Sequence, residues 1–289
     1  MTPELIACYW TLAGQVIFGP DDYSSHDLKD RAQAAAQAGY RGIGLKHADL
    51  IRAKTRYGWE GLRGILHDNG LIHLEVEALG DWWGEGDARR QSDIVRRDLL
   101  EAAAQLGARH LKVYGAIPAD AAPTVDVLRD AFDELARQAR DAGTCVALEP
   151  IACSGIPCLD TALAILGDNL GNGAGLMLDA WHVARGGLPL EQIAALPPGA
   201  IAGAELDDGP LQGDDYLFET MNRRLLPGEG AFDLVAIINA IHAAGYRGPW
   251  GVEIMSDEQR AQPPESAAKR SFDATARIFM QTAEAMGRR

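Results

Sequence analysis

Apolar and polar positions along this chain follow two periods: short, nearly continuous apolar runs, and longer stretches with helical spacing. The short runs are Leu5 to Trp10, Arg41 to Leu45, Leu71 to Leu79, His110 to Tyr114, Thr144 to Glu149, Leu176 to Asp179, Ala200 to Leu206 and Trp250 to Met255. Runs of this length predict strands buried on both faces. Between them lie helical patterns: Leu28 to Ala38, a helix closing at Gly70, Asp93 to Leu106, Pro123 to Ala142, Leu159 to Gly167, Leu190 to Leu196, Phe232 to Ala244 and Pro264 to Met286. Most of the helices preceding a strand end in Ala-Gly, Asn-Gly or Leu-Gly, where glycine accommodates the left-handed stop.

Strand and helix thus alternate eight times, with no break in composition. Alternation of this length predicts an α/β protein with a parallel sheet. Eight right-handed units close into a (β/α)8 TIM barrel, expected here as a single domain over residues 1–289. An open doubly wound sheet is the alternative topology. No GxGxxG follows the first strand, which argues against a Rossmann dinucleotide site.

The runs also share an ending. Val146-Ala147-Leu148 stops at Glu149, Leu176-Met177-Leu178 at Asp179, Ile201-Ala202-Gly203-Ala204 at Glu205 and Trp250-Gly251-Val252 at Glu253. A carboxylate directly after a buried run is costly unless it is paired or meets a cation. In a TIM barrel these four sit where active sites are built, at the C-terminal ends of strands five to eight. If they converge, their mutual repulsion calls for a divalent ion, and an all-oxygen set favours Mn2+ or Mg2+.

Bulk properties narrow the partners. The 289 residues carry a formal net charge of −14, which opposes binding to a nucleic-acid phosphate backbone. No apolar run is long enough for a membrane span. Met1-Thr2-Pro3-Glu4 is not the start of a basic, then apolar, leader, so a cytoplasmic protein is expected. Cys8, Cys145, Cys153 and Cys158 lack CxxC spacing and read as reduced thiols.

Leu148-Glu149-Pro150, Asp179-Ala180-Trp181-His182, Glu205-Leu206-Asp207-Asp208, Leu226-Pro227-Gly228-Glu229-Gly230 and Gly251-Val252-Glu253 together resemble the xylose isomerase-like TIM-barrel family, the sugar-phosphate isomerase/epimerase group. The resemblance covers nearly the whole chain. It implies Glu149, Asp179, Glu205 and Glu253 as ligands of one divalent metal, and Glu149 and Glu253 as the acid/base pair. It also implies that His182 contacts a substrate oxygen. The departure is at strand seven. Many epimerase relatives have His-x-Lys-Asp there, whereas this chain has Glu205-Leu206-Asp207-Asp208, a more acidic set. The DNA-repair branch of the same barrel needs several metal-binding histidines and a basic groove, and neither is evident.

The chemistry expected from such a site is metal-assisted removal of a proton beside a carbonyl, followed by its return through an enediolate. This gives a sugar, keto-sugar or cyclitol isomerase or epimerase. The alternative is a lyase on the same scaffold, an inosose- or dehydroshikimate-type dehydratase or a C-glycoside or keto-glycoside eliminase. A non-catalytic sugar-binding barrel is the third reading. Trp181 and Trp83, with Trp10 and Trp82, are candidate walls for a sugar; Arg185, Arg224 and Glu77 are candidate polar contacts. Leu226 to Gly230 reads as a tight turn without chemistry. The resemblance implies a homo-oligomer, a dimer or a tetramer.

Overall fold

The computed structural model of the protein describes residues 3–16 and 22–287. Met1 and Thr2, on which the reading of the N-terminus partly rests, lie outside the described residues. Eight parallel strands close in sequence order: β1 (Leu5–Ala7), β2 (Gly42–Lys46), β3 (His73–Leu79), β4 (His110–Tyr114), β5 (Cys145–Glu149), β6 (Ala174–Asp179), β7 (Ile201–Leu206) and β8 (Trp250–Val252). β8 returns to pair with β1, so the sheet has no free edge. The expected single-domain TIM barrel is therefore the architecture.

The helices are α1 (Tyr9–Leu12), α2 (Leu28–Ala38), α3 (His47–Asp68), α4 (Gly86–Leu106), α5 (Val125–Asp141) and α6 (Leu159–Leu166). They continue with α7 (Ala180–Arg185), α8 (Leu190–Ala194), α9 (Tyr216–Asn222), α10 (Leu234–Ala243), α11 (Asp257–Arg260) and α12 (Pro264–Gly287). None is long and apolar enough to cross a membrane among the described residues.

Several elements differ from the sequence pattern where local chemistry competes with periodicity. The first strand stops at Ala7 and the chain turns into α1, so Trp10 is helical. α4 begins at Gly86 rather than Asp93. The Asp179 side chain accepts from the Trp181 N–H and caps α7, a helix not anticipated directly after β6. The insertion after β7 contains α9, capped by Asp215.

Pairing register sets the level of the site. Tyr114 lies opposite Glu149, and Asp179 opposite Glu205, so these strands end at one rim. Strand alternation then turns Glu75 and Glu77 of β3, and His110, Lys112 and Tyr114 of β4, into the barrel. Leu111 and Val113 face the other way and are fully buried. Gly251 makes room for the acids. A Cβ there would lie 2.7 Å from both Cys8 Sγ and Glu205 Cγ, within the space those side chains use.

Candidate active site at the C-terminal mouth of the barrel

A cavity of about 420 Å³ opens at the C-terminal ends of the strands. Glu77, Lys112, Glu149, His182, Arg224 and Glu253 provide its buried charged and titratable wall, and the exposed Asp81 also lines it. Trp10, Trp83 and Tyr114 provide aromatic surface. All six polar groups are at least nine-tenths buried, a costly arrangement that requires partners.

The partners are two cations that sequence reading placed differently or missed. Lys112 Nζ lies 2.7 Å from Glu205 Oε1, 2.7 Å from Glu253 Oε1 and 3.1 Å from Glu77 Oε2. Arg224 Nη1 lies 2.6 Å from Asp179 Oδ2, 2.6 Å from Asp207 Oδ2 and 3.0 Å from Glu253 Oε2. Arg224 was expected as a substrate contact; it lines the cavity and is also the internal counterion of three acids. Lys112 carried one usable signal, a lysine inside a five-residue strand whose next neighbours are apolar. Burial opposes the Lys112 charge, but Glu205, Glu253 and Glu77 outweigh it and hold its pKa well above the ordinary lysine value.

The four strand-end acids fall into two groups of potential ligands. Glu149, Asp179 and His182 offer atoms within 4.8 Å of one another, and Cys8, Glu205 and Glu253 form a second such group. In the first, His182 Nε2 is 3.7 Å from Glu149 Oε1 and 3.9 Å from Asp179 Oδ2. Both gaps are too long for a hydrogen bond and of the size that a cation held at about 2.1 Å from each atom would leave. Glu149 Oε1 is buried without a hydrogen-bond partner, as is Glu205 Oε2. These residues therefore fit a metal ion. Two oxygens and an imidazole nitrogen suit Mn2+ and Zn2+, whereas the carboxylate-only expectation favoured Mn2+ or Mg2+.

Local structure explains the Asp179–His182 geometry. Asp179 caps α7 and His182 lies one turn on, which brings the imidazole to the cavity wall beside the buried Asp179 carboxylate. His182 Nδ1 lies 2.7 Å from the Tyr216 hydroxyl of α9. With the proton on Nδ1, donated to that hydroxyl, Nε2 turns its lone pair toward the acids. Burial, then Arg224, holds the His182 pKa well below the usual imidazole value, so the ring is neutral.

Burial raises Glu149 to about 8 and Glu77 to about 7, against the pull of Lys112. Burial, reinforced by Glu253, also lifts Glu205 well above the ordinary carboxylate range. Glu149 and Glu77, which titrate near neutrality, can both take and give a proton there.

The remaining candidates separate. Trp83 lines the cavity, whereas Trp181 is fully buried against Phe232 and is not among the cavity-lining residues. Trp82 is likewise core, its indole N–H donating to the Tyr114 carbonyl. Arg185 stays outside the cavity; it stacks over Trp181 and Tyr216 and donates to Glu219 at 2.7 Å, tying α7 to α9. Asp208 accepts from the backbone N–H groups of Gly209, Gly228 and Phe232 at 2.8, 2.9 and 3.0 Å. The second Asp of Glu205-Leu206-Asp207-Asp208 thereby folds the Leu226–Gly230 turn, a link with no local pattern to announce it. The four cysteines are free thiols.

The pattern of the xylose isomerase-like TIM barrel matches residues 32–278. The chain belongs to this family. Its members share the barrel, and several relatives are enzymes. A 3-dehydroshikimate dehydratase of Pseudomonas aeruginosa is 28% identical over 253 residues, covering 84% of this chain and 38% of that protein. The chain thus spans well under half the length of this curated relative. A fusion of a xylose isomerase-like barrel with a 4-hydroxyphenylpyruvate dioxygenase superposes with a TM-score of 0.85 at 21% identity, over 100% of this chain and 44% of the other. An IOLI protein with a bound zinc atom superposes with a TM-score of 0.79 at 19% identity, over 96% and 99% of the two chains.

Proposed function

We propose that this family member is a divalent-metal-dependent enzyme that moves a proton next to a carbonyl of an uncharged polyhydroxylated substrate, as a sugar or cyclitol isomerase or epimerase. The observation that carries this reading is the pair Glu149 and Glu253, two acids that reach one aromatic-walled cavity from β5 and the end of β8. Glu149, Asp179 and His182 would hold the ion, with Glu253 beside them. A divalent ion there supplies Lewis acidity, polarising the carbonyl and acidifying the neighbouring C–H.

This chain's own residues supply the rest. Glu149 lines the cavity and takes the proton on the carboxylate oxygen that would not hold the ion. Glu253 faces the same substrate, enters the step protonated and delivers its own proton to the opposite face or the neighbouring carbon; Glu149 is then left protonated and Glu253 ionised between Lys112 and Arg224, and exchange with solvent resets the pair. Trp83 and Trp10 wall off water on the apolar side. An uncharged substrate is favoured because both cations in the cavity wall are each already engaged by three carboxylates. A phosphate or carboxylate would have to compete with those acids in a strongly negative mouth.

A second reading, a lyase that loses a β-hydroxyl after the same proton abstraction, is favoured by the similarity to the dehydratase sequence. Incubation of keto-sugars, inososes and dehydroshikimate in D2O with Mn2+ separates the two. Deuterium incorporation with a new epimer or isomer supports the first reading. An ultraviolet-absorbing enone or aromatic product supports the second. Absence of exchange on every carbonyl substrate with metal-loaded protein rejects both.

A further inference from the structure

We propose that Lys112 is a fixed cation occupying what would otherwise be a second metal position, so that the exchangeable ion is confined to the Glu149–Asp179–His182 group. This rests on the metal-dependent reading above and goes beyond it by assigning the Cys8–Glu205–Glu253 group to the lysine.

The ammonium has three N–H donors and no acceptor. It meets three carboxylate oxygens, one each from Glu77, Glu205 and Glu253, at 3.1, 2.7 and 2.7 Å. One N–H donates to Glu253 and the other two oxygens lie at ion-pair distance, so three acids surround one charge as ligands surround an ion. The acids come from β3, β7 and the end of β8, and Lys112 from β4, so the charge stands near the barrel axis. Cys8 Sγ adds a fourth atom, 3.3 Å from Glu205 Oε1. Without the lysine, this cluster is a set of ligand atoms with no cation.

Glu253 links the two positions. Its Oε1 faces Lys112, and its Oε2 faces Arg224, which also holds Asp179 of the first group. A carboxylate shared between neighbouring cationic centres is how two-metal sites are bridged. Here one centre is part of the chain and cannot dissociate. Glu253 is therefore positioned whether or not the exchangeable ion is bound, and Glu205 serves the lysine rather than that ion. Lys112 is on this account a positioning residue that acts through Glu253.

The test counts bound Mn2+ by electron paramagnetic resonance of free ion, on folded wild-type protein and variants. Wild type should bind one ion per chain. Lys112→Met should bind an additional ion, and Lys112→Met with Glu205→Gln should return to one. Glu205→Gln alone should keep wild-type affinity within about threefold, since the first group is untouched, whereas loss of a true ligand would weaken binding by about tenfold or more. An unchanged count in folded Lys112→Met, or loss of Mn2+ binding in Glu205→Gln, overturns the proposal. If Lys112→Met does not fold, the Glu205→Gln affinity decides alone. Wild type that binds no Mn2+ while Lys112→Met gains a site would overturn the proposed function and the confinement of its ion, and would support only the assignment of the second position to Lys112.

Discussion

The guanidinium of Arg224 meets the carboxylate of Asp179 at 2.6 Å, fastening the insertion after β7 to the end of β6. Arg224 is 3% exposed, and the same nitrogen also holds Asp207 and Glu253. Removing one partner from a buried ionic cluster leaves the others uncompensated, at a cost of about 3–5 kcal/mol. Arg224→Met should therefore destabilise the protein by that order in urea unfolding, and added Mn2+ should recover part of the loss. Arg224→Met as stable as wild type would show that these acids are protonated or solvated instead.

A pH signature follows from Glu149. Burial lifts its folded pKa from an ordinary 4.5 to about 8. The native state then binds this proton more tightly than the unfolded chain. Its stabilising contribution is full below the unfolded value and is lost as pH rises through the folded one. Between roughly pH 4.5 and 8, the metal-free wild type should lose stability relative to Glu149→Gln, in paired denaturant titrations. Parallel pH curves would contradict this.

Metal binding should show the reverse slope. The ion competes with the Glu149 proton, so affinity should rise with pH up to about 8. A saturating ion at about 100-fold over its Kd should stabilise the fold by ~2.7 kcal/mol, and EDTA should remove that gain. Asp179→Asn keeps an acceptor for the Trp181 N–H, so the α7 cap survives. Its melting temperature should nevertheless no longer respond to Mn2+. A variant that still gains stability from Mn2+ would exclude Asp179 from the site.

Tyr216→Phe tests the orientation of His182. The hydroxyl lies 2.7 Å from Nδ1, and its loss frees the ring to rotate or change tautomer. Metal affinity and kcat/KM should both fall, by about tenfold. An effect on KM alone would assign Tyr216 to substrate contact rather than to the imidazole.

Asp208→Ala should act at a distance. It unhooks three backbone donors, at Gly209, Gly228 and Phe232. Each buried donor left unpaired costs roughly 1–3 kcal/mol, less whatever water recovers. Hydrogen exchange should speed up across residues 226–232 in the variant, while β1 to β6 keep their protection.

The sequence alone determined the eightfold strand–helix alternation and the closed barrel, because periodicity and Gly stops are local properties. It also located the strand-end acids, since a carboxylate after a buried run is conspicuous without any tertiary information. Tertiary structure decided how those acids are neutralised. Lys112 and Glu253 are separated by 141 positions and meet only because the barrel closes. A strand pattern gives the face on which Lys112 lies, but not the charges opposite it across the axis. The long insertion has no periodicity that marks Arg224 as buried, yet its fold over the mouth puts the guanidinium among Asp179, Asp207 and Glu253. Four acids that read as one set along the chain thus offer their atoms in two groups, and Lys112 and Arg224 reach three of them, Asp179, Glu205 and Glu253, while burial raises the pKa of the fourth, Glu149.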